Sequence, residues 1–291
     1  MNDYVLAIGD RTYSSWSLRG WLMFAKFGIP VTVRSALMKT PEFAAMLSEF
    51  GEATTVPAMR SGDIVATDSL AIAETLAETH ADLWPNDPLA RAHARSLVCE
   101  MHSGYSALRT ACPMNLRRCY DQFPVEPDVM ADVTRMQSQW ADAKSRFGGS
   151  GPWLYGAYSL ADVFFAPAAM RVATYRLPVQ SATARYVDAH LNDLEIRQWR
   201  AAGLAENHVR DYYDMDLPEL PWPGPKAVHA ETVIGIAALN ESCPFSGRTV
   251  SPDSLLRIGG NVIGFCNTFC RDKVLADPEA WPKAMSLLHK A

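Results

Sequence analysis

The opening of the chain decides its fold. It reads Val5-Leu6-Ala7-Ile8 and, after a polar gap, Tyr13-Ser14-Ser15-Trp16-Ser17-Leu18-Arg19. The apolar run predicts a buried strand over residues 4–9. Residues 17–27 carry apolar side chains at helical spacing, and residues 31–33, Val-Thr-Val, predict a second strand. A strand, a helix and a strand in this order form a βαβ unit, whose two strands run parallel.

Two more strands and a helix follow this unit. The apolar residues 56–59 and 64–66 are separated by Ser61-Gly62-Asp63, a pattern that predicts a hairpin. A helix is then predicted over residues 69–76. The βαβ-ββα order is typical of a thioredoxin-like α/β domain. The first helix begins with serines where a thioredoxin has Cys-x-x-Cys, so the redox pair is lacking.

Proline-rich segments suggest two domain boundaries. Residues 84–88, Trp-Pro-Asn-Asp-Pro, read as a linker, and the periodicity from 89 to about 211 is almost wholly helical. Within it, Ser159 and Asp162 have the spacing of a capping box ahead of a buried helix. Residues 217–225 contain four prolines and mark the second boundary. We therefore expect a thioredoxin-like domain at 1–80, an all-helical domain at 87–222 and a Cys-rich module at 227–291.

Composition excludes several classes of function. The net charge is −5 and no run of lysines or arginines occurs, so nucleic-acid binding is not expected. No apolar run reaches the length of a membrane span, and the first residues do not resemble a signal peptide. Six cysteines in 291 residues do not form a secreted disulfide framework. The sequence thus favours a soluble cytoplasmic protein with no membrane partner.

The motifs up to about residue 220 resemble those of the cytosolic glutathione transferases. This resemblance rests on the serine motif at 13–19, the Val56-Pro57 step, the Asp68-Ser69 pair and the helical capping box. The serine motif is similar to the zeta class pattern Ser-Ser-Cys-x-x-Arg, with Trp16 in place of the cysteine. The resemblance implies the glutathione transferase fold, glutathione as co-substrate, a small electrophile as second substrate and a homodimer.

The resemblance also implies a thiolate site at the serines. Counted back from Arg19, Ser14 is the lead donor to the glutathione sulfur, and Ser15 is the runner-up. Lowering a thiol pKa from about 8.5 to about 6.5 requires roughly 2.7 kcal/mol. A hydrogen bond to a charged acceptor contributes roughly 1.5–3 kcal/mol and a helix N-terminus about 0.3–1 kcal/mol, which together suffice. The competing interpretation is that these serines only cap the helix.

Further residues match the remaining groups of glutathione in this resemblance. A cis Pro57 would let Val56 present its backbone N–H and C=O to the extended peptide. Asp68 would bind the ammonium of the γ-glutamyl group, and Ser69 with its helix N-terminus would bind the carboxylate. A plain turn and a plain N-cap are the alternatives. His102 is interpreted as structural rather than catalytic.

Three cysteines in the tail have a spacing that suits a metal ion. Cys243 is separated by 22 residues from Cys266, which is separated by three from Cys270. Residues 255–262 predict a hairpin broken by Gly259-Gly260, and a short helix is predicted from Asn267. This arrangement places one thiol on a knuckle and two on a helix start, so that three thiolates can converge on one ion.

The tail resembles the TRASH and YHS treble-clef modules, in which Cys-Pro-x-x-Gly precedes Phe-Cys-x-x-x-Cys. The resemblance implies a small α+β zinc-ribbon or treble-clef-like module that binds zinc or another soft ion. Ser246 stands where a two-plus-two zinc ribbon has its second cysteine. The fourth ligand is left open between a three-coordinate site and four candidate side chains: Asp253, Asp272, Asp277 and His289. The alternative is a metal-free module with buried cysteines.

Three functions are therefore considered. The first is a glutathione transferase that joins the glutathione thiolate to a small electrophile and carries a metal-binding accessory tail. The second is a metal-responsive binding or regulatory protein on the same scaffold. The third is a glutathione-dependent isomerase or peroxidase.

Overall fold

The computed structural model describes residues 3–288, which form two compact units. Unit 1 comprises the chain as far as Leu191 together with Asp211–Pro223. Unit 2 comprises Asn192–Arg210 and the chain from Gly224 onward. The division into three domains stays a prediction. Among the described residues, no helix combines the length and apolarity needed to cross a membrane.

Unit 1 begins with a four-stranded sheet in the order β2-β1-β3-β4. Its strands are β1 (Tyr4–Ile8), β2 (Val31–Ser35), β3 (Ala58–Ser61) and β4 (Ile64–Ala66). β1 and β2 are parallel, whereas β3 is antiparallel to both β1 and β4. Three helices accompany the sheet: α1 (Ser15–Ala25), α2 (Pro41–Leu47) and α3 (Ser69–Ala77). The predicted thioredoxin-like arrangement is confirmed.

The helix α2 was not expected from the sequence. It has only seven residues, and two of them, Met46 and Leu47, are buried. A segment this short contains too few apolar positions to reveal helical periodicity. Its start is set by Thr40, whose hydroxyl accepts a hydrogen bond from the backbone N–H of Phe43 at 3.2 Å.

The remainder of unit 1 is helical. Its helices are α4 (Pro88–Ser103), α5 (Ser106–Ala111), α6 (Pro127–Phe147), α7 (Leu160–Thr174) and α8 (Ser181–Asn192). Every residue of α7 is buried, and the predicted capping box is present at its start. The Asp162 carboxylate accepts a hydrogen bond from the backbone N–H of Ser159 at 2.9 Å. Burial raises the pKa of this carboxyl to about 6, against the lowering effect of its hydrogen bonds.

Unit 2 combines a helix with the Cys-rich tail. The helix α9 (Leu194–Ala205) belongs to it, with β5 (Ala230–Val233), β6 (Leu255–Ile258), β7 (Asn261–Gly264), α10 (Thr268–Ala276) and α11 (Pro282–Met285). The strands form an antiparallel sheet in the order β5-β6-β7, which contains the predicted hairpin. Arg197 on α9 donates two hydrogen bonds to the Asp277 carboxylate, at 2.9 and 2.7 Å. This ion pair ties α9 to the end of α10.

A close contact between α1 and Pro57 generates the first prediction. A Cβ added at Gly20 would lie 2.6 Å from the Pro57 Cβ. Overpacking of this kind costs about 1–3 kcal/mol, which exceeds the gain of about 0.5–1 kcal/mol from replacing a helical glycine by alanine. We expect Gly20→Ala to lower the free energy of unfolding by about 1–2 kcal/mol, measured by urea unfolding followed by circular dichroism.

The matched control is Gly260→Ala, because a Cβ at Gly260 meets no atom within 4 Å. This variant should leave the unfolding midpoint of the protein unchanged. A midpoint for Gly20→Ala equal to or above that of the wild type would contradict a tight packing of α1 against Pro57.

Candidate functional site

The topology of unit 1 brings three sequence motifs to one end of its sheet. Ala7 near the end of β1 pairs with Ala58 at the start of β3, so Val56-Pro57 lies beside the connection from β1 to α1. Met59 of β3 pairs with Ala66 at the end of β4, so Asp68-Ser69 follows at the same end. The serine motif, the proline step and the acidic pair therefore share one end of the sheet.

Ser14 is the N-cap of α1 and is 5% exposed. Its hydroxyl oxygen accepts the backbone N–H of Ser17 at 3.2 Å, and its O–H donates to the Ser17 Oγ at 2.8 Å. The Ser17 Oγ also accepts the backbone N–H of Gly9, at 2.9 Å. These bonds fasten the start of α1 to the residue that follows β1. Ser14 thus serves as a cap, which leaves open whether its hydroxyl has a second role.

Ser15, the next residue, is half-buried and contacts the helical part of unit 1. Nη2 of Arg171, on α7, donates to the Ser15 Oγ at 3.4 Å. Trp16 lies between charged groups: the Arg19 Cζ is 4.5 Å from the centroid of its ring, and the Arg109 Cζ is 5.0 Å from it. The two serines therefore have different environments, one local to α1 and one linked to a buried arginine.

The Val56-Pro57 peptide bond is cis, as the resemblance implied. Val56 lies two residues ahead of Ala58, the first residue of β3 that pairs with β1. Val56 therefore lies outside the paired residues of β1 and β3. A backbone N–H and C=O at this position suit pairing with an extended peptide.

Asp68 is the N-cap of α3. Its Oδ1 accepts the backbone N–H groups of Leu70 and Ala71, at 2.7 and 3.3 Å. Its other oxygen lies 3.5 Å from the Nε2 of His102. Ser69 is 1% exposed, and its buried Oγ makes no hydrogen bond within the described part of the chain. The acidic pair thus has one carboxylate oxygen and one hydroxyl not used by the helix cap.

His102 links the two helix starts. Its ring lies 5.3 Å from the ring of Trp16, centroid to centroid, as well as against Asp68. Burial lowers the pKa of this imidazole. Asp68 opposes this effect, whereas the charges of Arg19 and Arg109 add to it. The lowered pKa favours the neutral imidazole at pH 7, and the structural role of His102 stays a prediction.

Sequence reasoning missed a group of two buried arginines and one half-buried arginine around these helix starts, which we call the arginine cluster: Arg19 and Arg171, both buried, and Arg109. Arg19 and Arg171 are 2% and 5% exposed. Burial, followed by the charges of the neighbouring arginines, lowers the pKa of Arg19 to about 9. The sequence did contain a sign that Arg171 is unusual: it is the one charged residue between Asp162 and Arg176, in an otherwise mostly apolar helical stretch.

A second group of chemically active side chains lies in unit 2. The sulfur atoms of Cys243, Cys266 and Cys270 all lie within 4.8 Å of one another. Cys243 sits in a tight turn, where the backbone N–H of Gly247 donates to its carbonyl at 2.9 Å. Asn267 caps α10 by accepting the backbone N–H of Cys270 at 2.8 Å. The predicted knuckle and helix start therefore do bring the three thiols together.

The three thiols differ in electrostatic environment. Burial opposes ionisation of Cys243, but several backbone N–H donors outweigh it and lower the pKa of this thiol. Burial raises the pKa of Cys270, and its two neighbouring thiols raise it further. The Cys266 Sγ accepts the Ser246 hydroxyl at 3.2 Å and the Asn267 amide at 3.4 Å. Hydrogen bonds to sulfur in this site thus favour negative charge.

This geometry fits a tetrahedral metal ion. Bonds of about 2.3 Å from zinc to thiolates place the sulfurs roughly 3.8 Å apart, within the observed spread. Within the described residues, the cluster includes no histidine or carboxylate as a fourth ligand. Asp277 is instead held by Arg197, and Asp272 by Arg271 at 2.7 Å. His289 lies outside the described residues.

Comparison with known proteins gives two sequence matches. Residues 13–79 match the family model described as "Glutathione S-transferase, N-terminal domain". A stretch of 100 residues is 35% identical to a "Probable maleylacetoacetate isomerase" of Caenorhabditis elegans, and covers 34% of this chain and 46% of that protein. The chain thus spans less than half the length of this curated relative.

Solved glutathione transferases resemble the chain in structure. A glutathione transferase homologue from Burkholderia, solved with bound glutathione, matches with a TM-score of 0.51 at 19% identity, over 69% of this chain and 98% of that one. Glutathione S-transferase unclassified 2 from Bombyx mori matches with a TM-score of 0.53 at 16% identity, over 68% and 94% of the two chains. Identities this low concern the fold alone.

These findings confirm the predicted transferase resemblance, while the zeta-like motif and the treble-clef-like tail stay predictions. Residues 13–79 match the N-terminal domain family of the glutathione S-transferases, and about two thirds of the chain shares the fold of solved glutathione transferases.

Proposed function

We propose that the protein is an enzyme that binds glutathione in unit 1 and transfers its thiolate to a small electrophile. The observation that carries this proposal is the gathering of Ser14-Ser15, cis Val56-Pro57 and Asp68-Ser69 at one end of the sheet. A capping role alone explains each motif singly, but not their common location.

In this proposal, each motif binds one part of glutathione. The backbone of Val56 pairs with the cysteinyl residue of the peptide. The Asp68 oxygen that the helix cap does not use binds the γ-glutamyl ammonium, and Ser69 at the start of α3 binds the adjacent carboxylate. A hydroxyl of Ser14 or Ser15 donates to the sulfur at the start of α1, and the thiol proton leaves to water. The negative charge of the sulfur is then stabilised by a hydrogen bond and by the helix N-terminus.

A glutathione-dependent isomerase is the second candidate. The Caenorhabditis elegans relative, named a probable maleylacetoacetate isomerase, favours it. Trp16 at the position of the zeta class cysteine distinguishes this chain from that class. Conjugation of a chlorinated nitrobenzene and isomerisation of a maleyl substrate, measured on one preparation, separate the two reactions.

We also propose a homodimer, as the resemblance implies. Sedimentation equilibrium measures it directly. A mass of one chain at micromolar concentration would refute this assembly without affecting the chemistry proposed for unit 1.

The next prediction identifies the hydroxyl that holds the thiolate. We compare Ser14→Gly with Ser15→Ala, because glycine at an N-cap costs the helix only a few tenths of a kcal/mol. Loss of a hydrogen bond to a charged sulfur corresponds to about a 10- to 100-fold fall in kcat/KM. We expect one of the two variants to show this fall in conjugation kinetics while still binding to immobilised glutathione.

The control is Ser96→Ala, since Ser96 is exposed on α4 and donates only to the Ala92 carbonyl of its own helix. Its kinetics should equal those of the wild type. Full activity in both Ser14→Gly and Ser15→Ala, with glutathione still bound, would contradict thiolate stabilisation by the serine motif.

We propose in addition that Cys243, Cys266 and Cys270 bind one zinc or other soft metal ion in an accessory role. The proximity of the three sulfurs supports this assignment, since thiolates are preferred ligands of such ions. A bound ion would also stabilise the small core of unit 2. A metal-responsive regulatory role is the alternative, and it predicts that removing the metal changes the conjugation rate.

Ser246 offers a sharp test of the metal site. Its Oγ lies 3.2 Å from the Cys266 Sγ, so Ser246→Cys places a fourth thiol beside the cluster. We expect at least a tenfold gain in zinc affinity, about 1.4 kcal/mol, measured by competition with a chromophoric chelator. The cobalt-substituted protein should show the absorption of a tetrahedral tetrathiolate site.

Two cysteine variants complete this experiment. Cys243→Ser should lose stoichiometric zinc, whereas Cys99→Ser should retain it because Cys99 is exposed on α4, outside the cluster. The metal site would be refuted if the wild-type protein contained no zinc, or if Cys243→Ser contained as much zinc as the wild type.

A further inference from the structure

Arg171 lies in the most buried helix of unit 1, and nothing in the packing of that helix explains its charge. All fifteen residues of α7 are buried, and Arg171 is 5% exposed. A charged side chain in such a place is costly unless it is paired with an opposite charge. Its partners therefore indicate what it does.

The guanidinium of Arg171 is held by neutral oxygens. Its Nε donates to the Cys112 carbonyl at 2.8 Å, and its Nη1 to the Pro167 carbonyl at 3.2 Å. Its Nη2 donates to the Ser15 Oγ at 3.4 Å. Within residues 3–288, no carboxylate forms an ion pair with it. The hydrogen bonds satisfy the donors but leave the positive charge uncompensated.

The surroundings add positive charge. Arg109 repels Arg171, and Arg171 and Arg109 both repel Arg19. Arg109 is likewise bound by backbone carbonyls, those of His102 and Gly104 at 3.2 and 3.1 Å. Asp68 opposes this repulsion at Arg19, whose pKa it raises.

The other titratable groups facing Arg171 are Cys112, Tyr175 and Tyr213. Burial raises the pKa of Cys112 to about 12 and also raises that of Tyr175, so neither supplies negative charge at neutral pH. The lowered pKa of His102, beside Arg19 and Arg109, favours its neutral form. Ser15 at the start of α1 thus contacts a buried positive charge that no carboxylate pairs with in the described residues, and an anionic ligand would balance it.

We propose that Arg171 is a positioning residue for the thiolate of glutathione. It holds the oxygen of Ser15, so that the Ser15 hydroxyl proton points away from the guanidinium toward the sulfur, and its buried charge favours the anionic form of that sulfur. This inference rests on the proposed function and selects Ser15 as the donor. The thiol proton passes to water, and no bond of the protein changes.

The inference makes the pKa of bound glutathione depend on the charge at position 171. Arg171→Gln keeps hydrogen-bond donors but removes the charge, whereas Arg171→Lys keeps the charge. We expect Arg171→Gln to raise the pKa of the bound thiol by about one unit, a tenfold loss of thiolate below that pKa. Arg171→Lys should restore most of the shift. The measurement is the ultraviolet absorbance of the thiolate during a pH titration of the binary complex.

Arg176→Gln is the matched control. Arg176 directly follows the end of α7, is exposed, and pairs with Asp121 at 2.9 Å. Removing its charge at the surface should leave the thiol pKa unchanged. Calorimetry should show that the affinity for S-methylglutathione, which has no ionisable thiol, is the same in all variants.

The outcomes separate this inference from the proposed function. An unchanged thiol pKa in Arg171→Gln, with glutathione bound, overturns the role of Arg171 and leaves the function intact. Absence of any thiol pKa shift in the wild-type complex overturns both. Should Arg171→Gln fail to fold, Ser15→Ala decides: the inference predicts a raised thiol pKa there, and an unchanged value refutes it.

Discussion

The antiparallel placement of β3 between β1 and β4 is the constraint on which the candidate site depends. This pairing returns the chain twice to the end of the sheet where α1 begins. The contact between Gly20 and Pro57 then fixes α1 against the entry to β3. Motifs that are more than 50 residues apart in sequence, such as Ser14 and Asp68, thereby reach one locality. Hydrogen bonding in the sheet thus assembles the site before any ligand is present.

Local patterns in the sequence predicted the elements that carry strong periodicity or caps. The first strand, α1, the two hairpins and the capping box of α7 were all visible in this way. The short elements α2 and β5 were not, because four to seven residues contain too little pattern. The inclusion of α9 in unit 2 did not follow from the sequence either, because α9 packs against α10, about 80 residues further along the chain, with Arg197 paired to Asp277.

The motifs of the candidate site could be predicted from the sequence, but the residues that surround each motif became known only from the structure. The cis bond at Pro57 and the proximity of the three cysteines matched expectation. The difference between Ser14 and Ser15 did not follow from sequence, because both precede the same helix and only tertiary packing places Arg171 beside one of them. The arginine cluster was missed for the same reason. Arg109 is 90 residues from Arg19 and 62 residues from Arg171 in the sequence, so no local pattern joins the three arginines.

The sulfur sites proposed for the two units differ in their physical environment. In unit 1, hydroxyls, a helix start and buried arginines surround the place proposed for one foreign thiol. In unit 2, three thiols of the chain itself lie together, an arrangement that a metal cation would complete. Proton release on glutathione binding tests most directly whether unit 1 stabilises the thiolate of glutathione. Calorimetry at pH 7 in buffers of different ionisation heat should show release of on the order of 0.7 proton per glutathione, and none with S-methylglutathione. Binding without release of a proton, or no binding by the folded protein, would contradict the account.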